Sequence, residues 1–374
     1  MGRKSNPRAL EIGLRMIEIL RSIVLFLSVL GSLVLVHEVG HYLTARYFGV
    51  RVLEFGIGFP PRLFKVIRGD TVYSLNMIPL GGFVRLLGEE DPSDPASLAS
   101  KNLLKRSSVL IAGPAMNLFV AIFLLSAIYV IPHDTIQAKV IVESVVPGGS
   151  AEIAGLKEGD QVLALGDYEI IHGQDLIYQV HMSLGETGIW KIARWTGYGL
   201  EEMYFPVTPR SDWPIGQGPT GITIAHIDQE TIRTSLSVPQ SIGKALSQIW
   251  DMLLMIKRGI TGFVFGGPGG QVEFAGPVGI AQMTGEVSKI GIMPLVAFVA
   301  SLSLSLAVIN VLPIPGLDGG RLFFLLLEVL RGGKRISPHQ EAFVHLLGIV
   351  LLVSLFLIIS YHDILRLIDG ENFF

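Results

Sequence analysis

The chain has 374 residues, 50% of them hydrophobic and only 16% charged, and a net charge of −3. Soluble domains run nearer a quarter charged, so this composition fits an integral membrane protein with a soluble part and gives no footing for nucleic-acid binding. Cysteine is absent, which excludes disulfides and thiolate metal sites and leaves His, Asp and Glu as protein ligands.

Residues 1–21 form a basic tail with Arg3, Lys4, Arg8, Arg15 and Arg21. It resembles the start of a signal peptide, but no small-residue cleavage site follows the next apolar segment, so that segment is expected to be retained. Residues 22–48 read as a first membrane span. At 1.5 Å per residue they cross a hydrocarbon core of about 30 Å with some excess. This span contains Val36-His37-Glu38-Val39-Gly40-His41. Positions i and i+4 share a helix face, so His37 and His41 can present ring nitrogens to one metal ion. Glu38, beside the first ligand, is placed to take a proton from the attacking water. The alternative is a pair of packed histidines on an amphipathic helix. However, the flanks offer no polar face, and ionisable groups inside a span are costly, so three together argue for a metal site.

Residues 49–107 hold a membrane-associated β-region and a cytoplasmic loop. Phe55-Gly56-Ile57-Gly58-Phe59, Tyr73-Ser74-Leu75-Asn76-Met77 and Pro79-Leu80-Gly81-Gly82-Phe83-Val84 are strand-like. They predict a small antiparallel sheet or re-entrant hairpin, which survives at membrane depth only when buried in protein or lining a wet cavity. An ordinary surface hairpin is the other reading. Residues 108–132 are the second span, containing Gly113-Pro114-Ala115-Met116-Asn117. Gly and Ala permit close helix approach. Asn117 serves either an interhelical hydrogen bond or the metal site.

Residues 137–228 alternate as in a soluble β-rich domain and resemble a PDZ domain with the bacterial permuted strand order. A helix over Gln174–Met182 would form one wall of its groove. Gly218, Thr220, Gly221 and Ile222 lie in the candidate loop for a peptide carboxylate, with a strand beside it for peptide augmentation. Residues 229–290 include an amphipathic stretch at 238–264, expected either on the membrane surface or packed on the soluble domain. Residues 293–320 are the third span, running into Asn310-Val311-Leu312-Pro313-Ile314-Pro315-Gly316-Leu317-Asp318-Gly319-Gly320. The two prolines cannot donate backbone hydrogen bonds, so the helix must loosen there. Residues 321–341 read as a cytoplasmic loop and 342–362 as the fourth span.

The loop between the first two spans carries Arg46, Arg51, Arg62, Lys65, Arg68, Arg85, Lys101, Lys105 and Arg106; that between the last two carries Arg331, Lys334 and Arg335. Positive residues favour the cytoplasmic side, which leaves the soluble domain outside and outvotes the basic tail. His37 and Asp318 then approach the same, cytoplasmic face. A catalytic zinc takes three protein ligands and keeps one open position, so a third ligand is needed. Asp318 fits best by depth and side; Glu328 and Glu54 compete.

Taken together, these features resemble the site-2 protease family, in the bacterial branch that includes the regulator of sigma-E protease. The resemblance rests on His37-Glu38-Val39-Gly40-His41, the Gly56/Gly58 hairpin with Pro79-Leu80-Gly81-Gly82, and Gly113 through Asn117. It continues through the PDZ-like stretch, Gly276-Pro277-Val278-Gly279-Ile280, and Asn310 through Gly320. It implies a multi-pass helical membrane protein with four transmembrane helices, a membrane-associated β-hairpin and one extracytoplasmic PDZ domain. It also implies an intramembrane Zn2+ metalloprotease with His37, His41 and Asp318 as ligands and Glu38 as general base. Asn310, Pro313 and Pro315, with Asn117, would hold an unwound substrate segment. Expected partners are single-span membrane proteins already trimmed by another protease (anti-sigma factors or remnant signal peptides), peptide C-termini at the PDZ domain, and membrane lipid. The expected location is a bacterial cytoplasmic (inner) membrane, with the active site towards the cytoplasm. Two departures stand out: one PDZ-like domain where the branch often has two, and Ser305 where an asparagine is expected. Three other readings compete: a cytosol-facing membrane zinc protease of another family, a transporter using buried His, Glu and Asp as a proton relay, and a membrane-tethered PDZ scaffold.

Overall fold

The computed structural model describes residues 7–89, 91–214, 217–265 and 275–369. In chain order, α1 (Pro7–Tyr47) leads to strands β1 (Val52–Arg68) and β2 (Thr71–Leu86) and then α2 (Leu103–Val130). There follow β3 (His133–Val145), α3 (Ser150–Ala154), β4 (Gln161–Leu165), β5 (Tyr168–Glu169), α4 (Gly173–Met182), β6 (Gly188–Trp195), β7 (Leu200–Val207) and β8 (Ile222–Thr234). The last helices are α5 (Val238–Phe265), α6 (Pro277–Ile290), α7 (Ile292–Val311), α8 (Asp318–Leu330) and α9 (Pro338–Asp369). The chain divides into two compact units, one of Met1–Ile128 with Phe274–Phe374 and the other of Tyr129–Glu273.

Among the described residues, four helices are long and apolar enough to cross a membrane: Met16–Tyr47, Leu103–Val130, Ile292–Val311 and Pro338–Ile368. Each coincides with one expected span. α1 starts earlier than 22–48, because the tail continues the same helix. It stops where Gly49 adopts φ 68° and the Val50 N–H reaches the Ala45 carbonyl at 2.8 Å, a left-handed stop that suits glycine. The third expected segment, 293–320, is interrupted at its two prolines, as expected: α7 ends at Val311 and α8 starts at Asp318. The stretch read as a loop, 321–341, is corrected, since α8 continues to Leu330. Its run Leu322 to Leu330 gives an apolar helical face, and Asp318 places an acid in the first turn.

In the first unit, β1 and β2 each fold back on themselves. Residues 54–57 of β1 pair with 82–85 of β2 on one side and with 72–75 on the other, while 62–68 pair with 71–76. The result is a four-segment sheet with residues 82–86 at one edge; its two outer pairings are antiparallel, while 54–57 and 72–75 run in the same direction, so the expected purely antiparallel sheet is corrected to a mixed one. Its inner end packs on Ala45, Val50, Leu98 and Val109.

Two N–H groups at the start of α6 are claimed from a distance. Asp363 of α9, 2% exposed, accepts from Gly276 at 3.3 Å and from Gly279 at 2.8 Å. This carboxylate at a helix N-terminus ties α9 to α6, which in turn packs on α1. Asp363→Ala is expected to destabilise the protein by about 1–3 kcal/mol, because buried donors lose their acceptor. The readout is a lower thermal midpoint in detergent, partly recovered in Asp363→Asn, which keeps an acceptor oxygen. An unchanged midpoint in the alanine variant would refute the tie.

The second unit is built on an antiparallel sheet with strand order β7-β6-β4-β3-β8, and β5 on β4. β3 and β8 pair from His133↔Thr234 to Val145↔Ile222, so the sheet extends beyond 137–228 at both ends. Its core gathers Val140, Val142, Leu176, Trp190, Ile192 and Val207, with α4 laid across it. The amphipathic stretch 238–264 is α5. Ser241, Ala245 and Ile249 form its buried row, and Val238, Ile242, Leu246 and Trp250 remain exposed beside it. The glycine run 266–270 lies outside the described residues.

Candidate metal centre

The centre begins with helix geometry. One turn of α1 brings His37 and His41 to the same face, with their Nε2 atoms 3.1 Å apart. From the N-terminal turn of α8, Asp318 Oδ2 approaches His37 Nε2 at 3.0 Å and His41 Nε2 at 3.2 Å. Among the described residues, these three are the group of His and acids that could share one metal ion. The loosened turn at Pro313–Leu317 makes this possible. It ends α7 and restarts the chain as α8, with the Asp318 side chain directed back at α1.

The arrangement fits zinc on three observations. A tetrahedral ion with bonds of about 2.0–2.1 Å separates its ligands by roughly 3.3 Å, close to the distances seen. His41 Nδ1–H donates to the Val109 carbonyl at 2.7 Å, which leaves Nε2 with its lone pair for a metal. The third is a space held open by glycine: a Cβ on Gly113 of α2 would collide with His41 Nε2 and stand 2.6 Å from His37 Nε2. Pro114 lies inside α2 and gives no N–H to the Leu110 carbonyl, loosening that helix beside Val109.

Asn117 adjoins His37, its Nδ2 3.4 Å from His37 Nδ1, while its Oδ1 is buried without a partner. Amide orientation is assigned from such networks. The metal-binding tautomer of His37 carries its proton on Nδ1, and the opposite orientation of this amide turns Oδ1 to accept it. Ser303 of α7 donates to the Asn117 carbonyl at 2.8 Å and pins α7 to α2.

Glu38 points into a cavity of about 370 Å³ that His41, Asp318, Gly82, Phe83 and Val84 also line. The Val84 backbone amide faces its carboxylate. Gly82 to Val84 belong to the outer segment of the small sheet, so an edge with no further strand beside it borders the same space as His41 and Asp318. An ion pair between Arg321 and Glu89 closes part of the wall.

The two competing acids are engaged elsewhere. Glu54, 3% exposed, accepts from Arg62 at 2.6 Å and Ser74 at 2.7 Å. Burial alone raises its carboxyl, but these hydrogen bonds outweigh burial and hold it below the usual carboxylate range. Glu328 pairs with Arg106 at 2.8 Å and Arg335 at 3.1 Å. Burial raises it too, and the two guanidinium groups more than compensate.

The remaining sequence candidates are not among the residues that line this cavity. Asn310 donates to the Leu306 carbonyl of its own helix at 2.9 Å. Pro313 and Pro315 shape the turn before Asp318, and Pro315 is wedged against Gly348 of α9. In the second unit a groove of about 260 Å³ runs between α4 and β8, lined by His172, Gly173, Ile177, Ile224 and His226. Gly218, Thr220, Gly221 and Ile222 are not among its lining residues. Arg210 donates to the Gly218 carbonyl, Ala151 N–H to that of Thr220, and Val146 N–H to that of Gly221. Sequence reasoning passed over Ser303, the Arg321–Glu89 pair and His345. His345 did leave a signal, since it is an ionisable group within an apolar span.

The geometry defines a class first: a metallopeptidase whose centre is held by helices able to span a membrane. Comparison with known proteins agrees. The profile of Peptidase family M50 matches residues 25–355, and the chain belongs to that family. A Nostoc protein provisionally named a zinc metalloprotease is 33% identical, over 91% of this chain and 95% of its own length. A Clostridium perfringens protein with the same provisional name is 32% identical, over 92% and 98%. Zinc metalloprotease RasP of Geobacillus kaustophilus is 29% identical, over 93% and 99%.

Proposed function

We propose that this protein is an intramembrane zinc endopeptidase that cuts transmembrane segments of single-span membrane proteins. One observation carries the reading: a single cavity is lined by Glu38, by the strand edge at 82–84, and by His41 and Asp318, two of the three side chains that could share a metal ion. When bound, zinc polarises the scissile carbonyl and makes water a nucleophile near neutral pH. His37, His41 and Asp318 are the ligands on this reading. Glu38 takes the proton from the attacking water and passes it to the leaving amine. A substrate helix hides its peptide bonds in internal hydrogen bonds and must unwind locally. The 82–86 edge supplies replacement partners by strand addition.

The second unit, read as a PDZ-like domain, presents β8 as an edge strand beside the α4–β8 groove, the form that receives an extended peptide end. The basic residues of 49–107 and 321–341 favour placing the centre towards the cytoplasm of a bacterial inner membrane, with this unit outside. There it would admit substrates already trimmed by another protease, anti-sigma factors and remnant signal peptides being the two classes considered.

The test is cleavage of a single-span substrate by purified protein in detergent, with bound zinc quantified. The wild type should cut within the span. His37→Ala and Asp318→Ala should lose both cleavage and stoichiometric zinc. Zinc retained in Asp318→Ala would move the third ligand elsewhere. Stoichiometric zinc in the wild type with no cleavage of any span would overturn the intramembrane reading.

A further inference from the structure

A second cavity, of about 730 Å³, lies at the C-terminal end of α1 and shares no lining residue with the metal cavity. Its walls hold Tyr42 and Arg46 of α1, Arg51 of the connection to β1, Arg68 and Asp70 around the β1–β2 turn, and Tyr73 of β2. The lining carries three guanidinium groups and, among the described residues, one carboxylate.

A run of basic residues is ordinarily a solvated face. Here, however, the neighbouring acceptors are already engaged. The last carbonyls of α1 are taken by the turn: Thr44 accepts from Phe48 N–H at 3.1 Å, Arg46 from Gly49 at 3.2 Å and Ala45 from Val50 at 2.8 Å. The Val52 carbonyl accepts the Thr71 hydroxyl at 2.9 Å, and the Ala96 carbonyl accepts the Arg51 backbone N–H at 2.9 Å. Asp70 Oδ2 stands 3.8 Å from Arg51 Nε, too far for a hydrogen bond. Donors are left in excess, since each guanidinium carries five N–H groups. Arg46 gives one of them to the Tyr42 hydroxyl at 3.3 Å. The Arg68 guanidinium makes no hydrogen bond or ion pair with any described residue. Tyr42 and Tyr73 hold their hydroxyl oxygens 2.6 Å apart, which uses one of their two hydrogens. The charges of Arg46 and Arg68 both act on the Tyr73 hydroxyl.

The complement of this donor set is an oxyanion with several acceptor oxygens, and the planar fork of arginine matches phosphate. The position narrows the choice. The first apolar helix ends at Tyr47, so the cavity lies where a bilayer presents its headgroups, a depth at which tyrosine is enriched. Leu43, Val66 and Ile67, neighbours in sequence of lining residues, are exposed apolar side chains suited to acyl chains. The volume is that of a small-molecule site, with room for more than one phosphate group. We propose that this cavity binds the phosphate of an anionic phospholipid headgroup, with Arg46, Arg51 and Arg68 as its donors. On the orientation favoured above, the lipid belongs to the cytoplasmic leaflet, whose negative surface attracts basic side chains.

The test counts lipid retained by the purified full-length protein, using mass spectrometry under non-denaturing conditions in a neutral detergent titrated with dioleoylphosphatidylglycerol. The wild type should bind a single lipid saturably. Dioleoylphosphatidylcholine, whose phosphate is balanced by its own ammonium group, should compete poorly. Arg46→Gln and Arg68→Gln should each raise the apparent Kd about fivefold, with an unchanged thermal midpoint. Asp70→Asn, which frees Arg51, should lower it. Lys334→Gln removes a positive charge from outside this lining and should change nothing. Wild-type affinity in both arginine variants would overturn the inference. So would an equal loss in Lys334→Gln, which would reduce the effect to overall charge, or phosphatidylcholine binding as tightly as phosphatidylglycerol. Displacement of the lipid by inorganic phosphate at equal affinity would assign the cavity to a soluble phosphate instead. Lipid counting involves no cleavage, so the outcome is independent of the proteolytic reading.

Discussion

Glu38→Gln should leave zinc bound at wild-type stoichiometry and lower cleavage by about 10²–10⁴-fold, the usual contribution of a positioned acid–base group. The substitution keeps shape and removes only the ability to accept a proton. Neither histidine changes its partners, since His41 is oriented by the Val109 carbonyl and His37 adjoins Asn117. Glu38 lies in the cavity with the strand edge, where a substrate carbonyl and the attacking water would meet it. The assay reads turnover of a single-span substrate, with zinc measured on the same preparation. Turnover near the wild-type rate would assign the base to another group. Loss of zinc along with turnover would make Glu38 part of the binding site rather than the chemistry.

Gly113→Ala should be nearly as damaging through a different route. The added methyl has no room: it would meet His41 Nε2 and come within 2.7 Å of His37 Cε1, in the place the metal needs. Retreat of α2 would open the close packing of Gly40 of α1 against the Ala112 carbonyl. The rings must turn or the helices part. A misplacement near 1 Å at a reacting centre costs about 10²-fold in rate, and zinc should fall below stoichiometry in parallel. Alanine's better helix propensity offsets only part of the overpacking cost, so bound zinc and turnover, rather than the thermal midpoint, are the readout. Stoichiometric zinc in Gly113→Ala would show that the space beside the histidines is not the metal's.

Much of this arrangement was legible in the sequence, because it depends on length, period and residue type. Apolar runs located the four long helices, and the i, i+4 spacing put His37 and His41 on one face. Depth and sidedness selected Asp318 over Glu54 and Glu328; Arg106 reaches Glu328 from a distant segment, and the nearer Arg62 and Arg335 meet their acids only through the fold of the chain. Contacts fixed by helix rotation escaped the reading. Ser305 was singled out, yet it is Ser303, two positions away and so on a different face, that reaches Asn117. α8 was hidden because Gly319, Gly320 and Arg321 at its start look like loop chemistry. The meaning of Gly113 lay in an atom it lacks, which only packing reveals.

The outer edge at 82–86 has a consequence for selectivity. Strand addition reads amide and carbonyl groups that every residue carries, so it discriminates little among side chains. Choice between candidate segments is thereby shifted to the free energy of leaving the helix. A residue such as glycine lowers that cost by about 1 kcal/mol relative to alanine. A span carrying a few such residues, whatever its sequence, would present itself to the edge far more often than a leucine-rich one.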